Sequence, residues 1–220
     1  MNFRHCSARP KTPPLSLTHD DYAAFAAIYD PATALWLDPM RRHVVQILTQ
    51  AKAKSVLDVC CGTGRFVRML VDAGMTVSGL DISPSMLSQA QRTCGARATL
   101  SLQDATCMAF SSHTFDAAVI AMALHEKTAP VRQRILTEMI RIITPGGMLV
   151  LVDYGPHAHV SIDGVFVGLV ERLAGKTHYA NFKEFMHTGA LDGLSHIRTL
   201  TPLHREQFTR AIFEVRCYQC

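Results

Sequence analysis

Short apolar runs alternate with stretches of helical spacing through the middle of the chain. Ser55-Val56-Leu57-Asp58-Val59-Cys60 is a β-type run. After Gly62-Thr63-Gly64, the apolar residues Phe66, Val67, Leu70 and Val71 recur as on one face of a helix. Thr76–Leu80 predicts a second strand and Pro84–Arg92 a second helix, followed by a third strand at Ala98–Leu102. Phe115–Met122 is almost wholly apolar, as expected of a strand covered on both faces. Val131–Ile143 is amphipathic. Pro145-Gly146-Gly147 predicts a turn, and Met148–Val152 a fifth strand. This alternation predicts a parallel sheet flanked by helices.

Both ends depart from that rhythm. Residues 1–17 hold Pro10, Pro13 and Pro14 without periodicity and predict a mobile tail. Thr18-x-x-Asp21 has capping-box spacing ahead of a short helix at Tyr22–Tyr29. Pro31 suits the first turn of a further helix, which Pro39 should break or restart, with Val44, Val45, Ile47 and Leu48 as its apolar face. Beyond the fifth strand, Val160–Leu173 is apolar and Asn181–Met186 predicts a short helix. Ile197–Leu203 and Phe208–Cys217 predict two strands joined too tightly to be parallel. The organisation expected is a tail (1–17) and a single domain (18–220), with covering elements at about 18–53 and 157–194.

Composition adds limits. With 48% hydrophobic and 18% charged residues, 220 residues can bury a core, which excludes long disorder. No apolar run reaches the roughly 18–20 residues that span a bilayer, and the first residues lack the apolar core of a secretory signal. Net charge is +4, but Lys and Arg are scattered, with no basic stripe for nucleic acid. Seven cysteines, an odd number in a chain too large to need disulfide staples, predict free thiols and a cytoplasmic setting. A metal site at Cys217-x-x-Cys220 would want a second ligand pair, which His157 and His159 could supply, but nothing in the spacing favours that and no metal is expected.

The sharpest chemical signal is Asp58-Val59-Cys60-Cys61-Gly62-Thr63-Gly64, at the junction of the first strand and first helix, where open α/β sheets bind ligands. It lacks the Gly-Lys-Ser/Thr of a phosphate loop. A dinucleotide loop would want a small residue where Val67 stands, and a pyrophosphate disfavours Asp58. An acid there suits a cationic ligand. Asp81, 23 positions on at the end of the second strand, has the offset of an acid that holds ribose hydroxyls. Asp104 follows the third strand, where a carboxylate could accept from an adenine amino group. Together these fit an adenosine with a cationic amino-acid tail.

Those segments resemble class I S-adenosylmethionine-dependent methyltransferases. Val56–Phe66 is similar to their first motif, Gly79-Leu80-Asp81-Ile82-Ser83 to their ribose motif and Gln103-Asp104-Ala105 to their adenine motif. Leu136-x-Glu138-x-x-Arg141-x-x-x-Pro145-Gly146-Gly147 matches their helix and turn before the fifth strand. Cys60 stands where the family's loop has its first glycine, a side chain expected to crowd the methionine end. Ala123-Leu124-His125-Glu126, Val152-Asp153-Tyr154-Gly155 and Tyr29-Asp30 look like the quinone and phospholipid methyltransferase neighbourhood. Ala121-Met122-Ala123-Leu124 is unlike the Asn/Asp-Pro-Pro-Tyr of the members that methylate nucleic-acid amino groups.

The resemblance implies a Rossmann-like α/β fold: a doubly wound seven-stranded sheet, mostly parallel with an antiparallel last strand, N-terminal helices and a helical insertion as lid. It implies S-adenosyl-L-methionine as cofactor, held by Asp58, Cys60, Cys61, Gly62, Thr63, Gly64, Asp81, Ile82, Met86, Gln103, Asp104, Ala105 and Ala121. Transfer is an in-line displacement that needs alignment and water exclusion above all, and a base only for a protonated acceptor. His125 is the candidate base, or else a structural histidine. Tyr22, Tyr29 and Tyr154 are candidates to line the acceptor pocket, or else core residues. Val165, Val167, Leu169, Val170 and Leu173 fit an apolar or lipid-like acceptor, a membrane-surface contact, or simple packing on the sheet. The expected partner is a small molecule and not a nucleic acid, with the chain a monomer or homodimer. A nicotinamide-dependent oxidoreductase and a non-catalytic nucleoside-binding module remain as alternatives.

Overall fold

The computed structural model describes residues 29–156, 171–172, 175–197, 199–209 and 211–220. The tail, the capping box at Thr18, Tyr22 and the apolar stretch 157–170 lie outside these residues.

Seven strands form one sheet in the order β3-β2-β1-β4-β5-β7-β6. They are β1 (Ser55–Val59), β2 (Thr76–Asp81), β3 (Thr99–Leu102), β4 (Phe115–Ala121), β5 (Ile143–Tyr154), β6 (Thr201–Phe208) and β7 (Phe213–Gln219). The five strands from β3 to β5 pair in parallel, whereas β7 runs antiparallel to both β5 and β6. The sheet is therefore the mostly parallel, doubly wound arrangement expected. Its order reverses between β1 and β4, which opens a crevice at their carboxyl ends. Ala117, Ala118, Val119 and Ile120 of β4 and Leu149, Val150 and Leu151 of β5 are fully buried, as strands with helices on both faces must be.

Helices α1 (Tyr29–Gln50), α2 (Arg65–Asp72), α3 (Pro84–Cys94), α4 (Ala129–Ile142) and α5 (Lys176–His187) cover this sheet. Pro39 does not break α1, contrary to the sequence expectation. It removes one main-chain bond from a helix of 22 residues, while Leu37, Met40, Val44 and Leu48 keep one buried face along it. Arg65 also grips Asp38 of α1 with two hydrogen bonds, 2.9 and 2.5 Å long. Helix α5 is longer than Asn181–Met186, and it buries Phe182, Phe185 and Met186.

Two further boundaries differ. The turn expected at Pro145-Gly146-Gly147 is a bulge within β5. Phe115 pairs with Ile143 and Ala117 with Met148, so the β5 residues between them bow out of register. Gly147 must be glycine there, since a Cβ would lie 2.6 Å from the carbonyl oxygen of Asp116. Phe208 ends β6 instead of opening β7, and Ile197 lies in a short 3-10 turn before β6. Cys217 and Cys220, three positions apart on extended chain, fall on opposite faces of the sheet, so they form no chelating pair.

Candidate active site

The carboxyl ends of β1, β2 and β4 converge on one crevice. From β1 the chain turns through three left-handed residues, Cys60 (φ 60°), Gly62 (φ 53°) and Gly64 (φ 75°). Cys60 thus adopts the conformation of the glycine it replaces, at a cost of about 1–2 kcal/mol for an L-residue. A Cβ on Gly64 would lie 2.9 Å from Ala90 of α3, so α2 and α3 can pack this closely only with glycine there. Gly62 faces open space, with nothing within 4 Å of where a Cβ would stand.

The loop is tied to β2. Cys61 N–H donates to the Leu80 carbonyl (2.9 Å), and Gly62 N–H donates to Asp81 Oδ2 (2.8 Å). Ser83 N–H donates to Asp81 Oδ1 (2.9 Å), and Ser83 Oγ caps α3 by accepting from Met86 N–H (3.1 Å). Backbone amides, that of Ile82 among them, thus fix both oxygens of Asp81. Burial pushes this carboxyl up, against those amide bonds and nearby Lys127. Asp58 is buried at the end of β1, and desolvation lifts its carboxyl to about 8, with Arg41 opposing and Asp81 adding to the rise.

Ile82 and Leu102 stand 43% and 51% exposed at the ends of β2 and β3, apolar surfaces flanking the place a base would occupy. The cradle therefore fits an adenosine with a cationic tail: a fixed carboxylate for ribose hydroxyls, open space over Gly62, apolar side chains beside the base and Asp58 for the cation. The first-turn amides of α2 add further donors, since its cap, Gly64, brings no side-chain bond.

Other expected cofactor residues play quieter parts. Met86 and Ala105 are buried. Gln103 spends its amide within the loop, donating to Ser101 Oγ (2.9 Å) and accepting from Ala109 N–H (2.8 Å). Asp104 is exposed and accepts from Thr106 N–H (2.8 Å). Ala121 borders a small pocket closed by Met40 and Val44 of α1. Burial raises both the Cys60 and Cys61 thiols, which makes them poor nucleophiles.

A second constellation lies beside the cradle, past the ends of β4 and β5. Asp153 is fully buried and accepts from four N–H groups: the backbone of Leu124, His125 and Tyr154, and Nδ1 of His125 (2.8 Å). That bond fixes the His125 ring and turns Nε2 toward Glu171 Oε2 at 3.6 Å. Glu171 is held in turn by the Tyr154 hydroxyl (2.7 Å) and by His178 Nε2 (2.5 Å). His178 Nδ1 lies 3.4 Å from Glu126, which pairs with Lys127. Burial would lower the His125 imidazolium, but Asp153, Glu171 and Glu126 outweigh it and raise it to about 9. Glu171 is lowered, since hydrogen bonds from His178 and Tyr154 and the charge of His125 overcome its burial.

Tyr154 thus reaches this constellation with its hydroxyl engaged. Tyr29 opens α1, and Tyr22 lies outside the described residues. Sequence reasoning passed over Glu171 and His178. No spacing ties them to His125: His178 arrives on α5, whose Asn181 donates to the Glu126 carbonyl (2.7 Å), and Glu171 comes from the segment ahead of that helix.

Comparison with known proteins follows the same lines. Residues 56–147 match the family model described as a methyltransferase domain. The chain is 37% identical over 106 residues to an uncharacterized methyltransferase of Synechocystis sp., covering 48% of this chain and 50% of that one. It is 30% identical over 153 residues to a demethylmenaquinone methyltransferase of Bacillus licheniformis, covering 66% and 65%. The chain thus spans about half to two-thirds of the length of these relatives. A SAM-dependent methyltransferase from Methanosarcina mazei superposes with a TM-score of 0.56 at 21% identity, over 75% of this chain and 91% of that one. The strand order, the glycine loop tied to Asp81 and these matches together identify residues 56–147 as a methyltransferase domain, on a fold shared with S-adenosylmethionine-dependent methyltransferases.

Proposed function

We propose that the protein transfers the methyl group of S-adenosylmethionine to an acidic hydroxyl, phenolic or enolic, on a small and largely apolar ring compound. The observation that carries this reading is the Asp153–His125 pair, fixed at 2.8 Å past the end of β4, with Nε2 directed toward Glu171 Oε2 at 3.6 Å. An imidazole whose conjugate acid is held near 9 lies about one unit from a phenol near 10, so the proton moves between them at little cost. The sulfonium supplies a methyl group already activated for displacement. Asp58 and Asp81 would hold the cofactor, α1 and α5 would exclude water, and His125 Nε2 would take the hydroxyl proton while the methyl C–S bond breaks and the neutral thioether leaves.

The names of the relatives support an apolar ring acceptor, since several are demethylmenaquinone methyltransferases. Covering elements at 18–53 and 157–194 and a cytoplasmic setting belong to this reading, supported by the α1 clamp and by six free cysteines among the described residues. Among the described residues no helix is long and apolar enough to cross a membrane. The test is transfer from methyl-labelled cofactor to panels of phenols, quinols, amines, lipids and tRNA at two ionic strengths. Phenol or quinol turnover that rises with pH toward about 9, and a His125→Gln variant that keeps cofactor binding but loses turnover, would support the reading. Robust methylation of tRNA with a steep salt slope would overturn it.

A further inference from the structure

A donor cluster distinct from the active site joins α1 to the outer strand β6. His204 and Glu206 are two positions apart on β6, so both side chains leave the same face of the strand. His43 meets them from α1. The two imidazole Nε2 atoms are 3.0 Å apart, His43 Nε2 is 2.8 Å from Glu206 Oε2, and His204 Nε2 is 3.3 Å from that same oxygen. The ring centroids lie 5.1 Å apart with the planes tilted by 38°.

Hydrogen bonds hold this triangle only by sharing one Nε2 proton between the facing imidazole and Glu206. Each Nε2 offers either one proton or one lone pair, never both. If His43 donates to Glu206, a neutral His204 either points a proton at that proton or shares the same His43 proton through its lone pair, which weakens both bonds. If both rings are protonated, both can donate to Glu206, but two cations then meet nitrogen to nitrogen at 3.0 Å. One cation above the triangle satisfies all three donors at once.

We infer that His43, His204 and Glu206 bind a divalent cation of the zinc class, which staples α1 to β6. With metal–ligand bonds of about 2.0–2.1 Å, neighbouring donors stand roughly 3.3 Å apart in a tetrahedron and roughly 2.9 Å apart in an octahedron. The observed edges of 3.0 and 3.3 Å fall in that range and the 2.8 Å edge lies just below it. Two imidazoles and one carboxylate select zinc, cobalt or nickel over magnesium or calcium, which take oxygen ligands. The side chains are 22%, 36% and 43% exposed, so an ion can enter and water can complete its shell. The staple has a consequence for the site, because α1 also carries Met40, Arg41 and Val44, which close the pocket beside the cradle.

The experiment strips the full chain with a chelator and titrates zinc by calorimetry, with cobalt absorption as a second probe. One equivalent should bind, and its affinity should fall by about 100-fold or more in H204Q and in E206Q, beyond the 10–100-fold usual for losing an outer-shell partner. It should persist in His178→Gln, which alters a second donor set, His125, Glu171 and His178, whose ligand atoms lie within 4.8 Å of one another. Circular dichroism confirms that each variant is folded. Absence of binding, binding indifferent to H204Q and E206Q, or binding lost only in His178→Gln would each overturn the inference.

Discussion

Replacing His125 by Asn should change how stability depends on pH, and the sign follows from the structure. The imidazole is buried between Asp153 and Glu171, and its conjugate acid is raised from 6.5 to about 9. A raised value means that the folded state holds the proton more tightly than the unfolded chain. The stabilisation is therefore complete below about pH 6.5 and disappears as pH rises through about 9. About 2.5 units at 1.36 kcal/mol each give on the order of 3 kcal/mol, a large part of a typical folding free energy. Buried thiols also titrate at high pH, so the informative quantity is the gap between wild type and His125→Asn. Urea unfolding at intervals from pH 6 to pH 10 measures that gap. It should shrink by about 3 kcal/mol across the range, while the constant part absorbs the lost Asp153 bond. A gap that stays flat within about 0.5 kcal/mol, or widens with pH, would refute a protonated His125 in the folded state.

Other perturbations separate loop geometry from cofactor recognition. Cys60→Gly should leave stability level or raise it by up to about 1 kcal/mol, since φ 60° strains cysteine and not glycine, and cofactor affinity should hold or improve; thermal unfolding and calorimetry read both. Gly64→Ala should destabilise by about 2 kcal/mol or more, because its Cβ would lie 2.9 Å from Ala90 on a backbone at φ 75°; a fall below about 0.5 kcal/mol in urea unfolding would contradict that packing. Asp81→Ala should weaken S-adenosylhomocysteine binding by about 30-fold or more, the loss of charge-assisted bonds worth about 2–4 kcal/mol, whereas affinity within twofold of wild type would remove Asp81 from the ribose site. Cofactor binding below pH 8 should release protons from Asp58, whose carboxyl stands near 8 without a bound cation; calorimetry in buffers of differing ionisation enthalpy detects it.

The sheet and the glycine loop were legible because their signals are local. Strand burial shows in Ala117–Ile120, and the loop shows in residues 58–64. Pro39 misled because its penalty is local while the face that holds α1, Leu37 to Leu48, spans the helix. Pro145-Gly146-Gly147 read as a turn because a bulge and a turn use the same residues, and only the pairing with β4 tells them apart. The acidic pocket was half legible. His125 stood out as a histidine after a strand, but Glu171 and His178 carry no periodic signal: His178 reaches it on α5 and Glu171 from the chain ahead of that helix, a meeting that only the tertiary fold makes.

The place of β7 between β5 and β6 has a consequence for the order of assembly. β6 is made before β7, yet β7 is its neighbour in the sheet. Until β7 docks, β6 has no partner, and β5 presents an open edge through Leu149, Val150 and Leu151, all fully buried in the finished molecule. Such an edge is a template for wrong pairing between molecules. The interval between synthesis of β5 and insertion of β7 is then the time when the nascent chain is most exposed to aggregation. Slower insertion of β7, through a charge at buried Val215 for example, should lower soluble yield more than it lowers the stability of what does fold.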